Sequence, residues 1–200
     1  MLTFALSERG IRRGLGESGT DTVFGRSFAA LVIALAVVVD NRRPYLSELE
    51  YERVLAALVD YAASERDLRG FVPTKGWAHA PAHLADALGE CVLSRYATTE
   101  TARSATKALC SLVSRANEVF TGDEDERIAI AIGAAVEQRG LALDEVTTHV
   151  RAVAPSDSNR IARINRKLLA RSLYFRLGRA DELLRLAQWE TDNASKRVIP

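Results

Sequence analysis

Two imidazoles and two carboxylates at helical spacing are the groups in this chain best suited to chemistry. They lie in "GWAHAPAHLADAL", residues 76–88, and at Glu90 just beyond. At 100° per residue, with His79 at zero, His83 falls at about 40°, Asp86 at about −20° and Glu90 at about 20°. Leu84, Leu88 and Cys91 fall on the opposite face. Upstream, "SERDLRGF" crowds Glu65, Asp67 and Arg69 at the end of one helix, and the short loop that returns at Gly76 brings Arg69 near Asp86. Three readings of the stripe compete. It is a solvated helix face, a metal site, or a site for a small organic molecule or a peptide, in which imidazole and carboxylate supply hydrogen bonds. His-x3-His-x2-Asp is usable zinc spacing, and His149 is a further imidazole. Ala80, however, stands where a zinc-peptidase helix needs its glutamate, and one helix supplies too few donors, so no metal is expected. As an enzyme, the chain would use His79 or His83 as general base, oriented by Asp86, with Arg69 holding an anionic substrate group.

Other chemistries find little support. No Ser/His/Asp arrangement, Walker loop or dinucleotide fingerprint is present, and "GLGESG" (14–19) lacks the strand that a phosphate cradle requires. No cofactor is expected. Cys91 and Cys110 sit inside apolar helical patterns, as buried thiols of a reducing compartment do. No signal peptide is indicated, and the apolar run from Phe28 to Val39, about 12 residues, falls short of the ~20 that cross a bilayer. It reads as a buried central helix, the most buried of the fold, in a cytoplasmic protein with no membrane partner. The net charge of +1 gives no global pull toward nucleic acid. One basic stretch between Ser158 and Arg179 places Arg160, Arg163, Lys167 and Arg171 in a row without any acid. It has no aromatic platform, so it reads as a solvated or ion-paired surface, with "DEDE" (123–126) as an intramolecular partner.

The elements that must position these groups are helical throughout. A helix from Thr20 or Asp21 to about Val39 is followed by the capping box "SELE" (47–50), which opens a second carrying Leu49, Val54, Leu58 and Tyr61. Helices then run from near His79 to about Arg95, from Thr99 to Val119, and from "DEDE" to about Arg139, where Gly140 ends the run. Shorter helices follow near 144–153, 158–177 and 180–190, with Pro155 and Gly178 as punctuation. No segment has the alternation of a strand. No Ser/Gly/Pro-rich linker divides the chain, so residues 1–200 form one all-α domain of antiparallel helix pairs. Trp77, off the histidine stripe, reads as a core anchor beneath the 70–76 loop.

"VFGRSFAAL" (23–31), "ERDLRGF" (65–71), "GWAHAPAHLADAL" (76–88) and "DEDERIAIAI" (123–132) resemble a bacterial family known only as domain of unknown function 2785. The resemblance covers about residues 15–140, and Gly-Trp-x-His-x3-His-x2-Asp is its most specific string. It implies an all-helical protein of the armadillo/HEAT-like kind with no assigned activity. The positions it carries over are Arg26, Ser27, Glu65, Asp67, Arg69, Gly70, Gly76, Trp77, His79, His83, Asp86, Glu124 and Arg127. Pro81 departs from the pattern, standing where an ordinary apolar residue is expected. Together these readings predict a binding or scaffold module that holds a small molecule or peptide through Glu65, Asp67, Arg69, His79, His83 and Asp86. The alternative is a hydrolase-type or proton-transfer enzyme, metal-assisted or not, built on His79 or His83 with Asp86 and Arg69.

Overall fold

In the computed structural model, which describes residues 1–154, 159–178, 181 and 183–187, the helices after the short first one alternate between two layers. The helices, in chain order, are α1 (Leu2–Ala5), α2 (Thr22–Arg42), α3 (Glu48–Ser64), α4 (Ala80–Leu93), α5 (Thr99–Arg115), α6 (Glu124–Arg139), α7 (Leu143–Ala152) and α8 (Arg160–Leu177). Helices α2, α4, α6 and α8 pack side by side in that order, and α3, α5 and α7 form the second layer against them, with the short α1 packed on α2. The fold is all-α, as expected. One short exception breaks the helical pattern: β1 (Phe71–Val72) pairs antiparallel with β2 (Gly76–Trp77), Phe71 opposite Trp77. Two-residue strands carry no readable alternation, so this ribbon has no signature in the residue pattern.

Local chemistry sets the helix ends. Ser47 accepts from the Glu50 amide while Glu50 reaches back to the Ser47 amide, completing the expected capping box. Thr98 and Thr101 make a second such box that opens α5. Glu124, Asp125 and Glu126 occupy the first turn of α6, where the free amides favour negative charge. Gly140 closes α6 in the left-handed conformation (φ 64°), its amide and that of Leu141 taking the carbonyls of Val136 and Ala135. The expected punctuation at Pro155 lies outside the described residues, as do Ser158, Arg179 and, within the expected 180–190 helix, residues 180, 182 and 188–190; residues 183–187 of that segment are helical.

α4, not α2, is the most deeply buried helix. It is flanked by α2 and α6 in its own layer and backed by α3 and α5, and ten of its side chains from Ala80 to Val92 are buried. α2 has only α4 and the short α1 as main neighbours, so its outward face stays open, with Phe28, Leu35 and Val39 exposed. By length and composition alone α2 could cross a membrane. Its inward face instead packs on α4 through Ala30, Ile33, Ala34 and Val37, which leaves the apolar outward stripe to be explained.

Candidate functional site

The residues singled out between 65 and 90 form pairs, several of them buried, that tie four segments together. Arg26, on α2, is fully buried and grips the Glu65 carboxylate with two hydrogen bonds, Nε to Oε2 at 2.6 Å and Nη2 to Oε1 at 3.0 Å. Its Nη1 also donates to the carbonyls of Arg13 and Gly14, fastening the N-terminal loop. Burial works against the guanidinium charge, and the hydrogen bonds and charge of Glu65 more than offset it, raising the Arg26 pKa. Asp67 is buried as well. It accepts two bonds of 2.7 Å from Arg69 and one of 2.9 Å from the Gly19 amide. Arg69 further donates to the Thr20 carbonyl at 2.7 Å. The expected approach of Arg69 to Asp86 does not occur, because Asp67 and the Thr20 carbonyl hold the guanidinium on the other side of the loop.

The ribbon hands over to α4 through His79, whose left-handed backbone (φ 49°) turns the chain into the helix. Pro81 is accommodated in the first turn, where an amide proton has no helical partner in any case. The His79 ring stacks on Trp77, with centroids 4.2 Å apart and planes 7° from parallel, and its Nδ1 stands 3.5 Å from Glu124 Oε1. That distance is too long for a strong hydrogen bond. Glu124 is buried and receives the Gly122 amide at 2.8 Å. Glycine is required on both sides of this corner: a Cβ on Gly122 would come within 2.4 Å of the Trp77 ring, and one on Gly70 within 2.3 Å of Glu124 Oε1. Trp77 itself is 44% exposed, so it is a lid over the glycine corner and not the core anchor expected of it.

His83, on the stripe face of α4, is buried against α2. It is 8% exposed, and its Nδ1 lies 2.8 Å from Ser27 Oγ, whose hydroxyl donates to the Ala78 carbonyl. The Phe28 ring meets it edge-on at 5.2 Å. Burial, with smaller contributions from His79 and Arg127, depresses the His83 pKa to about 4. Ser27 is fully buried with its proton committed to a carbonyl, so the pair is not a nucleophile and its base. Of the stripe, His83 is covered by α2, while His79, Asp86 and Glu90 stay partly exposed.

Asp86 and Glu90 continue down α4. Burial raises the Asp86 pKa against the pull of Arg127, which bonds it at 3.0 Å, while Glu90 takes Asn41 of α2. His79 and His83 lie 5.7 Å apart, centroid to centroid, yet neither bonds the other or Asp86, and Arg69 is engaged elsewhere. Below them opens a groove of about 250 Å³ walled by Leu31, Leu35 and Val38 of α2, Leu93 of α4 and Ile130 of α6. Ala34, Ala85, Gly89, Ala131 and Ala134 line it between these walls, with Asp86, Glu90 and Arg127 as its polar members. Phe28, at the head of the same α2 face, links the groove to His83. Sequence reasoning passed over these apolar residues. The available signal was α2 itself, apolar at Phe28, Leu31, Leu35 and Val39 on the face away from its one large partner.

Other candidates stand apart. His149 lies on α7 in a recess with Arg103, Lys107 and Glu145. No group of three or more His, Cys, Asp or Glu side chains among the described residues is arranged to hold a metal ion. Burial pushes the Cys91 and Cys110 thiols up to about 12. Such thiols are poor nucleophiles at neutral pH. Among the described residues, "DEDE" meets α8 through the hydrogen bond from Ser172 to Asp125 at 2.6 Å. No curated protein and no solved structure matches the chain. A family model does, over residues 11–175, extending the resemblance through most of α8. The chain therefore belongs to the family described as protein of unknown function, DUF2785.

Proposed function

We propose that the protein is a binding module that receives an apolar helical peptide segment of a partner in the α2–α4–α6 groove. One observation carries this reading: a continuous apolar stripe on α2, with Leu35 57% exposed, forms one wall of a groove closed by Leu93 and by Ile130, itself 47% exposed. Contiguous apolar surface of this kind is uncommon on a chain without a partner. The groove is open along its length, and its volume of about 250 Å³ is below the ~300–1,000 Å³ of small-molecule sites. A helix laid into a groove needs only a shallow floor and apolar walls that take residues at i, i+3, i+4 and i+7. The alanine lining supplies the floor.

The tool that tests this is a displayed library of random peptides selected against the intact chain. The expected winners carry apolar residues at helical spacing and lose binding to Leu35→Asp and Leu31→Asp variants. Winners that ignore both substitutions, or a selection without enrichment, contradict the reading. A proton-transfer or hydrolytic role has less support, because His79, His83, Asp86 and Arg69 each serve a different partner.

A further inference from the structure

A second groove, of about 630 Å³, runs between α6 and α8, and its two walls carry opposite charge. Asp125, Glu126 and Glu137 line the α6 wall, and Arg171 and Arg176 the α8 wall. Each wall also exposes one large apolar side chain, Ile130 on α6 and Phe175, 81% exposed, on α8. No ion pair crosses the groove among the described residues. Asp125 accepts from Ser172 across it, while Glu126, Glu137, Arg171 and Arg176 make no ion pair with one another.

We propose that this face is the contact between two copies of the chain, related by a two-fold axis running along the groove. An interface between identical copies must be complementary to itself. Two walls of opposite sign and matched apolar content meet that demand, since the axis sets the α6 wall of one copy over the α8 wall of the other. The helices also have the direction this requires. Along the chain, Phe120 meets Asn165, Asp125 meets Ser172, and Gly133 lies under Arg176, so α6 and α8 advance together. Rotation about an axis parallel to both keeps that order. It places Glu126 opposite Arg171 of the second copy, Glu137 opposite its Arg176, and Ile130 opposite its Phe175. The alternative axis, across the groove, would set acid on acid. A mixed-charge peptide is a competing occupant, but an exposed Phe175 and an exposed Ile130 on opposing walls answer each other without one.

Sedimentation of the intact chain over a concentration series tests the proposal. The expected result is a dimer of twice the 21.9 kDa chain mass that weakens as salt rises, because its rim charges are exposed. Phe175→Glu, at a position too exposed to threaten folding, is expected to give a monomer. So are the charge reversals Arg171→Glu with Arg176→Glu, and Glu126→Arg with Glu137→Arg. Mixing the two reversed proteins is expected to restore a dimer, because both pairings of α6 with α8 then join opposite charges, one of them in inverted order. Circular dichroism confirms that each variant is folded. A parent chain that stays monomeric, or a dimer untouched by Phe175→Glu, overturns the proposal. So does a failure of the two folded, reversed proteins to associate. A monomeric parent that selects mixed-charge peptides, lost on Phe175→Glu, assigns the groove to a different occupant.

Discussion

Because Ser27 donates its hydroxyl proton to the Ala78 carbonyl, the bond between Ser27 Oγ and His83 Nδ1 runs from the imidazole to the hydroxyl. His83 is thereby held as the neutral tautomer with its proton on Nδ1. A pKa lowered from 6.5 to about 4 means that the folded chain binds this proton less well than the unfolded chain does. Stability from His83 is therefore complete above about pH 6.5 and is lost as pH falls from there toward 4. Urea midpoints at pH 7.5 and pH 5 are expected to differ more for the parent than for His83→Gln; equal slopes would mean that the imidazole titrates freely. The order of two truncations is also fixed by the geometry. His83→Ala removes a buried, bonded ring and leaves Ser27 without its donor, at a loss of about 1–3 kcal/mol. Trp77→Ala removes a half-exposed lid, and is expected to fall below the ~3–5 kcal/mol of a deep aromatic. A larger loss for Trp77→Ala, measured by denaturant midpoint, would restore it as the core anchor. The wheel placed His83 on a polar stripe correctly. It could not show that α2 covers that stripe.

Among elements, the Arg26–Glu65 pair is the joint between α2, the end of α3 and the N-terminal loop. Removing one member strands the other's charge in the interior, a loss of about 3–5 kcal/mol. Arg26→Met and Glu65→Met are each expected to destabilise by that amount, and the double variant by less than the sum of the two. Additive losses in thermal or urea unfolding would contradict a direct pairing. At the start of α3, Ser47→Ala is expected to cost about 1 kcal/mol through the lost cap. That cap, the α6 first turn and Gly140 were legible because each is a local pattern of a few residues. The partners of Glu65 and Asp67 were not, because Arg26 lies 39 residues from Glu65 and Gly19 lies 48 from Asp67. Nothing local announces such pairs. The resemblance did flag Arg26, Ser27, Glu65, Asp67 and Arg69, yet without saying which meets which.

For the whole molecule, the all-α class was legible from helical periodicity, whereas the order of helices in each layer was not. That order decides which face of α2 is covered. With α4 on one side and, among the described residues, no long helix on the other, the apolar residues of the second face line a groove instead of a core. Leu35→Asp is accordingly expected to leave the unfolding midpoint nearly unchanged, as substitutions at exposed sites do, while abolishing peptide binding. The groove itself is tested most directly by backbone amide shifts on titrating a selected helical peptide into the labelled chain. The largest changes are expected on Leu31, Leu35, Leu93 and Ile130. Changes centred on Trp77, His79 and Arg69, with the α2 face undisturbed, would contradict docking in the groove.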